Sequence, residues 1–243
     1  DGRIKTVGSA GAATLEIDGQ GAHIAPGFID THSHDDGAFF RHPGMAFKLA
    51  QGVTTVVAGN CGFSAIPADP SIDSARASGG ILAGIEAGFT DLEGYFAAVL
   101  DKGPAINNMM LVGHNTVRAM VMGNEKRAPN AAELQQMYGL VEQAITQGAC
   151  GFSTGLIYTP GKWSQTEEII TLAKAAKTTD ALYTTHMRNE SNRLLEAVDE
   201  TLAIGIESDV HVHISHHKAA GKPNWGLVTQ SLQKIDAALG RGQ

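Results

Sequence analysis

The chain is poor in cysteine: Cys61 and Cys150 are the two among its 243 residues. Two cysteines cannot build a disulfide framework in a chain of this length, so we expect a reducing compartment, the cytoplasm. Positive charge is also scarce, since 18 Lys and Arg stand against 25 Asp and Glu, a formal net charge of −7. That balance argues against nucleic acid or an anionic membrane surface as partner. No apolar run approaches the roughly 20 residues that span a bilayer, so no membrane segment is predicted.

The chain does have enough apolar residues, 43%, for the core of one large domain, and its 29 glycines suit many tight turns. From residue 23 onward, strand-like runs alternate with helical periodicity. The strand-like runs are 23–31, 53–59, 105–113, 149–156, 181–186 and 209–215. The helical segments are 44–51, 91–101, 131–147, 165–178, 191–205 and 226–239. This alternation predicts a parallel α/β sheet with right-handed crossovers.

Two architectures fit such a sheet, an open doubly wound sheet and a closed (β/α)8 TIM-like barrel. A doubly wound nucleotide binder should carry a Gly-rich phosphate loop after its first strand, whereas this chain has His-Ser-His there. Polar residues at the ends of several different strands are typical of the barrel. We therefore predict a barrel, of which about six units are recognisable. Residues 1–22 alternate apolar and polar positions and are interpreted as two or three small strands outside it.

Local signals predict where several helices begin and end. Asn130 and Ser164 each precede a helical segment and are followed three residues later by Glu133 and Glu167, the pattern of a capping box. Two glycines, 148 and 205, suit the ends of helices.

Potential metal ligands follow four of the predicted strands. His32 and His34 are two residues apart at the end of the first, so a strand would present both imidazoles on one side. Cys61 follows the second strand, His186 ends the fifth and His216 follows the sixth. Thiolate and imidazole are ligands that zinc prefers, and a barrel collects the carboxyl ends of its strands at one face. The sequence therefore predicts a zinc hydrolase.

Two further residues in these regions are interpreted differently. Lys218 places a cation beside His216 and suits a substrate carboxylate, although a solvated loop lysine is an alternative. Cys150 begins the fourth strand instead of ending it, so we interpret it as a small buried side chain and not as a ligand. Taken singly, the other candidates also fit surface histidines and a buried thiol. Their recurrence at strand ends favours the metal site.

Several segments together resemble one enzyme family. They are PGFIDTHSH at 26–34, GNCG at 59–62, GFSTGLIY at 151–158, HMR at 186–188 and SHHK at 215–218. The combination resembles the N-acyl-D-amino-acid deacylases, or D-aminoacylases, of the amidohydrolase superfamily. The resemblance begins near residue 2 and continues to the C-terminus. His-x-His indicates only the superfamily. Asn-Cys-Gly narrows it, because most relatives instead carry a carboxylated lysine on the fourth strand, which has no lysine here.

The resemblance implies a metal site and a substrate. One zinc would be held tightly by Cys61, His186 and His216, and a second, weaker metal position would involve His32 and His34. Lys218 would meet the α-carboxylate of a small-molecule N-acyl-D-amino acid, from which the enzyme would remove the acyl group. Zinc would activate water and polarise the amide carbonyl.

The resemblance also implies a domain organisation. Residues 1–22 would form part of a small β-sandwich, and 23–243 would form a barrel that is incomplete at its C-terminal end. The family's last strand unit carries an aspartate that binds metal and transfers protons, and neither Asp35 nor Asp36 matches it. We therefore expect a fragment whose catalytic aspartate lies beyond Gln243. Two alternatives stay open: a catalytically inactive zinc-binding fragment, and a hydantoinase- or dihydropyrimidinase-like hydrolase of cyclic amides.

Overall fold

The structure, a computed structural model, describes residues 3–69, 77–86 and 88–242. Six strands form one sheet in the order in which they occur along the chain. They are β1 Phe28–Asp30, β2 Val53–Ala58, β3 Asn107–Gly113, β4 Gly151–Gly155, β5 Leu182–His186 and β6 Val212–Ile214. Every neighbouring pair is parallel. The strand order never reverses, as it would in a doubly wound sheet, so the prediction of a partial TIM-like barrel is confirmed.

Helices connect these strands. They are α1 Ala38–Arg41, α2 Ala46–Leu49, α3 Leu92–Asp101, α4 His114–Met122, α5 Ala131–Thr146, α6 Thr166–Ala173, α7 Leu194–Ser208 and α8 Leu227–Leu239. Short 3-10 segments lie at Asn60–Gly62, Gly161–Trp163, Lys174–Thr179 and Lys222–Asn224. Within the described ranges, none of the helices combines the length and the apolar character that crossing a membrane requires.

The core lies between the sheet and the helices that cover it. Strand side chains such as Met110, Phe152 and Tyr183 are fully or almost fully buried, and they belong to one apolar cluster with Val141 of α5 and Ile169 of α6. Burying a large apolar side chain contributes about 1.5–3 kcal/mol, so this cluster fixes the outward face of the sheet. The carboxyl ends of the strands remain free to carry polar residues.

The α4 helix was not predicted from the sequence. Its buried side chains mix the polar His114, Asn115 and Arg118 with the apolar Val117 and Met122, which obscures the helical period. Its N-cap is Gly113, without a side-chain cap, so no local start signal marks it either.

Two predicted helix boundaries are confirmed. Asn130 caps α5 by accepting from the backbone N–H of Glu133 at 3.0 Å, and the Glu133 carboxylate accepts from the Asn130 N–H at 2.8 Å. Gly148 follows α5 with a φ of 102°, a conformation that favours glycine.

Two other predicted boundaries are wrong. Ser164 does not cap α6, because its hydroxyl donates to the carbonyl oxygen of Gly161 at 2.6 Å and Gln165 is the N-cap. Gly205 lies inside α7 and does not end it. The helix ends instead at Ser208, and its C-cap Asp209 has a φ of 56°, so an aspartate takes the left-handed conformation there.

The predicted strands of residues 1–22 are not found where the structure describes them. Residues 3–27 contain no strand, and apolar side chains such as Val7 and Ile17 are exposed by more than four fifths. A strand needs a partner for its backbone N–H and C=O groups, and none pairs with this segment in the described part of the chain. Residues 1 and 2 lie outside the described residues. The assignment of 1–22 to a sandwich stays a prediction.

Candidate metal centre

Predicted ligands from four different strands meet at one end of the sheet. The Sγ atom of Cys61 lies 3.4 Å from Nε2 of His32, 3.6 Å from Nε2 of His216 and 3.7 Å from Nδ1 of His186. The barrel topology explains this convergence, because parallel strands deliver their carboxyl ends to the same face.

These separations fit a metal ion. A zinc ion with a Zn–S distance of about 2.3 Å and Zn–N distances of about 2.0–2.1 Å, at tetrahedral angles, separates sulfur from nitrogen by about 3.5 Å. Each of the three observed distances lies close to that value. His32 is as near to Cys61 as the other two histidines are, so the geometry alone does not divide the set into a tight and a weak site.

The backbone around Cys61 is specialised for this placement. Cys61 itself has a φ of 54°, which a non-glycine residue rarely adopts. A side chain at Gly59 would lie 2.0 Å from the carbonyl oxygen of Leu111, and one at Gly62 would lie 2.6 Å from the amide nitrogen of Gly155. The two glycines therefore let the loop lie directly on β3 and β4.

Buried polar side chains brace the same loop. Ser153 of β4 accepts from the N–H of Gly62 at 3.0 Å and donates to the carbonyl oxygen of Gly59 at 2.5 Å. The carboxylate of Asp36 accepts from the N–H groups of Gly59 at 3.2 Å and Ala65 at 2.9 Å. Asp36 and Ser153 thus hold the loop through its backbone groups.

The protonation of the donors favours metal binding by the histidines. Burial, with the nearby His216, lowers the pKa of His32 to about 4. Burial likewise lowers the pKa of His186 to about 4, against the opposing charge of Glu190. Both imidazoles are therefore neutral at pH 7 and keep a lone pair for a metal. Burial, reinforced by Glu190, raises the pKa of the Cys61 thiol to about 11, so metal binding must displace its proton.

The other candidate residues lie around this cluster. His34 is exposed, with its ring centroid 5.4 Å from that of His32. In the described residues, one set of donor atoms close enough to share an ion is His32, Cys61 and His216, and another is His186, Glu190 and His216; neither set includes His34, and the set around Cys61 does not include His186. The Nζ atom of Lys218 lies 3.2 Å from Nδ1 of His216. Cys150 is remote from these contacts, because its thiol donates to the carbonyl oxygen of Met110 at 3.3 Å.

Two residues at the site were not singled out from the sequence. Glu190 is 7% exposed, and its carboxylate lies near His186, His216 and Lys218. The hydroxyl of Tyr158 lies 3.2 Å from Nδ1 of His186. Tyr158 lies in the segment GFSTGLIY at 151–158, but the sequence indicates no chemical role for its side chain. Glu190 follows His186 by four residues in a loop, where that spacing predicts no shared face.

Comparison with known proteins identifies the family of this chain. The sequence matches a model described as the amidohydrolase family over residues 15–237. It is 41% identical over 242 residues to an N-acyl-D-glutamate deacylase of Alcaligenes xylosoxydans xylosoxydans, covering 99% of this chain and 49% of that protein. The chain therefore spans about half the length of the curated relatives it matches.

Solved structures agree. A crystal structure of N-acyl-D-glutamate deacylase from Bordetella bronchiseptica, complexed with zinc and a phosphonate mimic of the tetrahedral intermediate, matches with a TM-score of 0.83 and 43% identity. The match covers 89% of this chain and 45% of that one. A D-aminoacylase structure concerned with a binuclear metal centre matches with a TM-score of 0.79 and 40% identity, over 88% of this chain and 45% of its own. These neighbours support a metal in this chain.

Proposed function

The chain belongs to the amidohydrolase family, and on that premise we propose that the protein is a zinc-dependent hydrolase that removes the acyl group from N-acyl-D-amino acids. The products are a carboxylate and the free D-amino acid. The observation that carries this proposal is the cluster of three histidine nitrogens within 3.4–3.7 Å of the Cys61 sulfur, with Lys218 beside it.

We assign the tight zinc to Cys61, His186 and His216, and a second, weaker metal position to His32 and His34. Zinc bound at the tight site would supply a Lewis acid that polarises the amide carbonyl and lowers the pKa of bound water. The neutral imidazoles and the braced Cys61 loop hold their donor atoms in place before an ion arrives, which limits reorganisation on binding. Both cysteines are unpaired, and a reducing compartment such as the cytoplasm would keep Cys61 free to bind metal.

Lys218 is the group that we assign to the substrate carboxylate. Its side chain is about half exposed, and its ammonium lies next to His216, so a carboxylate bound to it would set the neighbouring amide beside the metal ligands. Lysine acts here as a point charge, which selects for an anionic end of the substrate without fixing its side chain.

The test is a hydrolysis assay of the zinc-loaded protein on N-acetyl-D-amino acids, their L-enantiomers and cyclic hydantoins. In protein that includes the catalytic aspartate implied by the family resemblance, we expect turnover of the D-series, lost in Cys61→Ala and retained in Cys150→Ala. Preference for L-substrates or hydantoins would overturn the proposed reaction. Stoichiometric zinc without turnover of any substrate would instead favour a zinc-binding protein without catalysis.

A further inference from the structure

We propose that Glu190 is a positioning residue that fixes two metal-binding histidines and the substrate-binding lysine at the same time. This inference rests on the proposed function. It assigns a role to a buried carboxylate that lies on the side of His186 and His216 opposite to Cys61.

The carboxylate of Glu190 contacts two histidines and the lysine of the site. Its Oε1 lies 3.0 Å from Nδ1 of His216, and its Oε2 lies 3.4 Å from Nε2 of His186. Its Oε2 also forms an ion pair of 2.5 Å with Nζ of Lys218. One carboxylate therefore touches three side chains that arrive from β5 and from the segment after β6.

Each of the two histidines faces Cys61 with one ring nitrogen and Glu190 with the other, but the nitrogens are exchanged between the two rings. His216 directs Nε2 to Cys61 and Nδ1 to Glu190, whereas His186 directs Nδ1 to Cys61 and Nε2 to Glu190. A carboxylate that accepts the proton of one ring nitrogen leaves the lone pair on the other. At His186, where Nε2 lies near Glu190, this favours the tautomer whose Nδ1 lone pair faces the sulfur. At His216 the ammonium of Lys218 also lies 3.2 Å from Nδ1, so Glu190 positions that ring without fixing its tautomer.

Burial makes these contacts consequential. Nε2 of His186 and Oε1 of Glu190 are shielded from solvent, and neither forms a well-aligned hydrogen bond with any residue that the structure describes. Buried polar atoms are normally paired. Nε2 of His186 lies 3.4 Å from Oε2 of Glu190, and Oε1 of Glu190 lies 3.0 Å from Nδ1 of His216, so each of the two shielded atoms lies close to a polar atom of the site.

Glu190 could instead be a metal ligand, since His186, His216 and Glu190 also have donor atoms close enough to share an ion. Lys218 argues against that arrangement, because its ammonium already lies 2.5 Å from the Glu190 carboxylate. A divalent cation on this side would meet a like charge at short range. On the other side of the two histidines lies the Cys61 sulfur, a potential metal donor. Its side-chain contacts in the described residues are three imidazole nitrogens, and no ammonium group is among them.

The first test measures metal binding without catalysis. Zinc affinity is determined by competition with a chromophoric chelator, and the visible absorption spectrum of the cobalt-substituted protein reports ligand geometry. We expect Glu190→Gln to weaken zinc binding about 10- to 100-fold and to alter the cobalt spectrum, because loss of such an outer partner typically has this effect. Glu190→Asp keeps the charge and should restore part of the affinity.

The matched control is Glu196→Gln, which alters an exposed glutamate that pairs with Arg193 at the surface. It should leave both readouts unchanged. Urea denaturation accompanies each variant, and if Glu190→Gln does not fold, the Glu190→Asp variant carries the comparison. Zinc affinity and cobalt spectrum equal to wild type in the folded Glu190 variant would overturn the proposal.

A second measurement tests the contact between Glu190 and Lys218. In a variant that is saturated with zinc, Glu190→Gln should still raise KM for the N-acyl-D-amino acid, because Lys218 has lost the group that holds it. Unchanged KM would contradict the link to Lys218. Loss of zinc in Cys61→Ala together with wild-type behaviour of Glu190→Gln would defeat this inference while leaving the proposed function intact.

Discussion

For a single residue at this site, what matters is which of its atoms faces the neighbouring donor. The residue type alone does not reveal that atom. The sequence predicts His186 and His216 as ligands from their positions at strand ends, and the structure brings both to Cys61. It does not predict that one uses Nδ1 and the other Nε2. Under the proposed role of Glu190, that difference reflects the position of its carboxylate, which lies in a loop without a sequence period.

Lys218 gives the prediction at this scale. Lys218→Ala should raise KM for an N-acyl-D-amino acid about ten- to a hundredfold, because a hydrogen bond to a charged group contributes about 1.5–3 kcal/mol. Steady-state kinetics with metal analysis would show whether zinc is retained. Lys222→Ala, a change four residues further along the chain, is the control. A KM within twofold of wild type in Lys218→Ala would refute the assigned carboxylate contact.

At the scale of elements, a buried ion pair joins α4 to α6. The carboxylate of Glu168 lies 2.6 Å from Nη1 of Arg118 and 2.8 Å from Nε2 of His114, and all three side chains are almost fully excluded from solvent. These are the residues that hid α4 from the sequence pattern. Glu168 lies 50 positions from Arg118 and 54 from His114, so only the fold reveals that the polar face is satisfied.

Glu168→Gln should lower the free energy of unfolding by about 3–5 kcal/mol, because it leaves Arg118 buried without a counter-charge. Urea denaturation at pH 7 measures the change. Glu167→Gln alters the exposed neighbour on the same helix and should stay within about 0.5 kcal/mol of wild type. Equal effects of the two substitutions would show that the ion pair is dispensable.

The same pair predicts a pH dependence. Burial opposes ionisation of Glu168, but the hydrogen bond and charge of His114 and the charge of Arg118 hold its pKa below its usual value of 4.5. A carboxyl group whose pKa is lower in the folded state stabilises the fold above its unfolded pKa, and this contribution is lost on acidification. The stability difference between wild type and Glu168→Gln should therefore be constant near neutral pH and shrink below about 4.5. A difference that widens with acid would contradict it.

Helix α5 provides a smaller prediction, because its start could be read from the sequence. Asn130→Ala removes the side-chain acceptor of the capping box and should lower the free energy of unfolding by about 1 kcal/mol in urea denaturation. Gln165→Ala at the start of α6 is the comparison, since that N-cap forms no side-chain cap bond. It should have little effect. A larger loss for Gln165→Ala than for Asn130→Ala would reverse the expected order.

On the scale of the whole molecule, the alternation of strands and helices was sufficient to predict the barrel type and the face that carries the site. Six strands in sequential order confirm it. The alternating pattern of residues 3–22 was not sufficient, because Val7 and Ile17 find no partner strand in the described residues. A strand forms only when a second segment pairs with it. The periodicity of one segment therefore does not predict whether a partner strand exists.

The proposed metal centre is also a whole-molecule feature, since its candidate donors come from four strand ends. Zinc K-edge X-ray absorption spectroscopy of the zinc-loaded protein tests it most directly, with Cys61→Ala and Cys150→Ala as the matched pair. We predict one sulfur neighbour at about 2.3 Å and nitrogen neighbours at about 2.0–2.1 Å in wild type and in Cys150→Ala, with no sulfur in Cys61→Ala. A wild-type spectrum without sulfur, or one that keeps its sulfur in Cys61→Ala, would contradict the proposed centre.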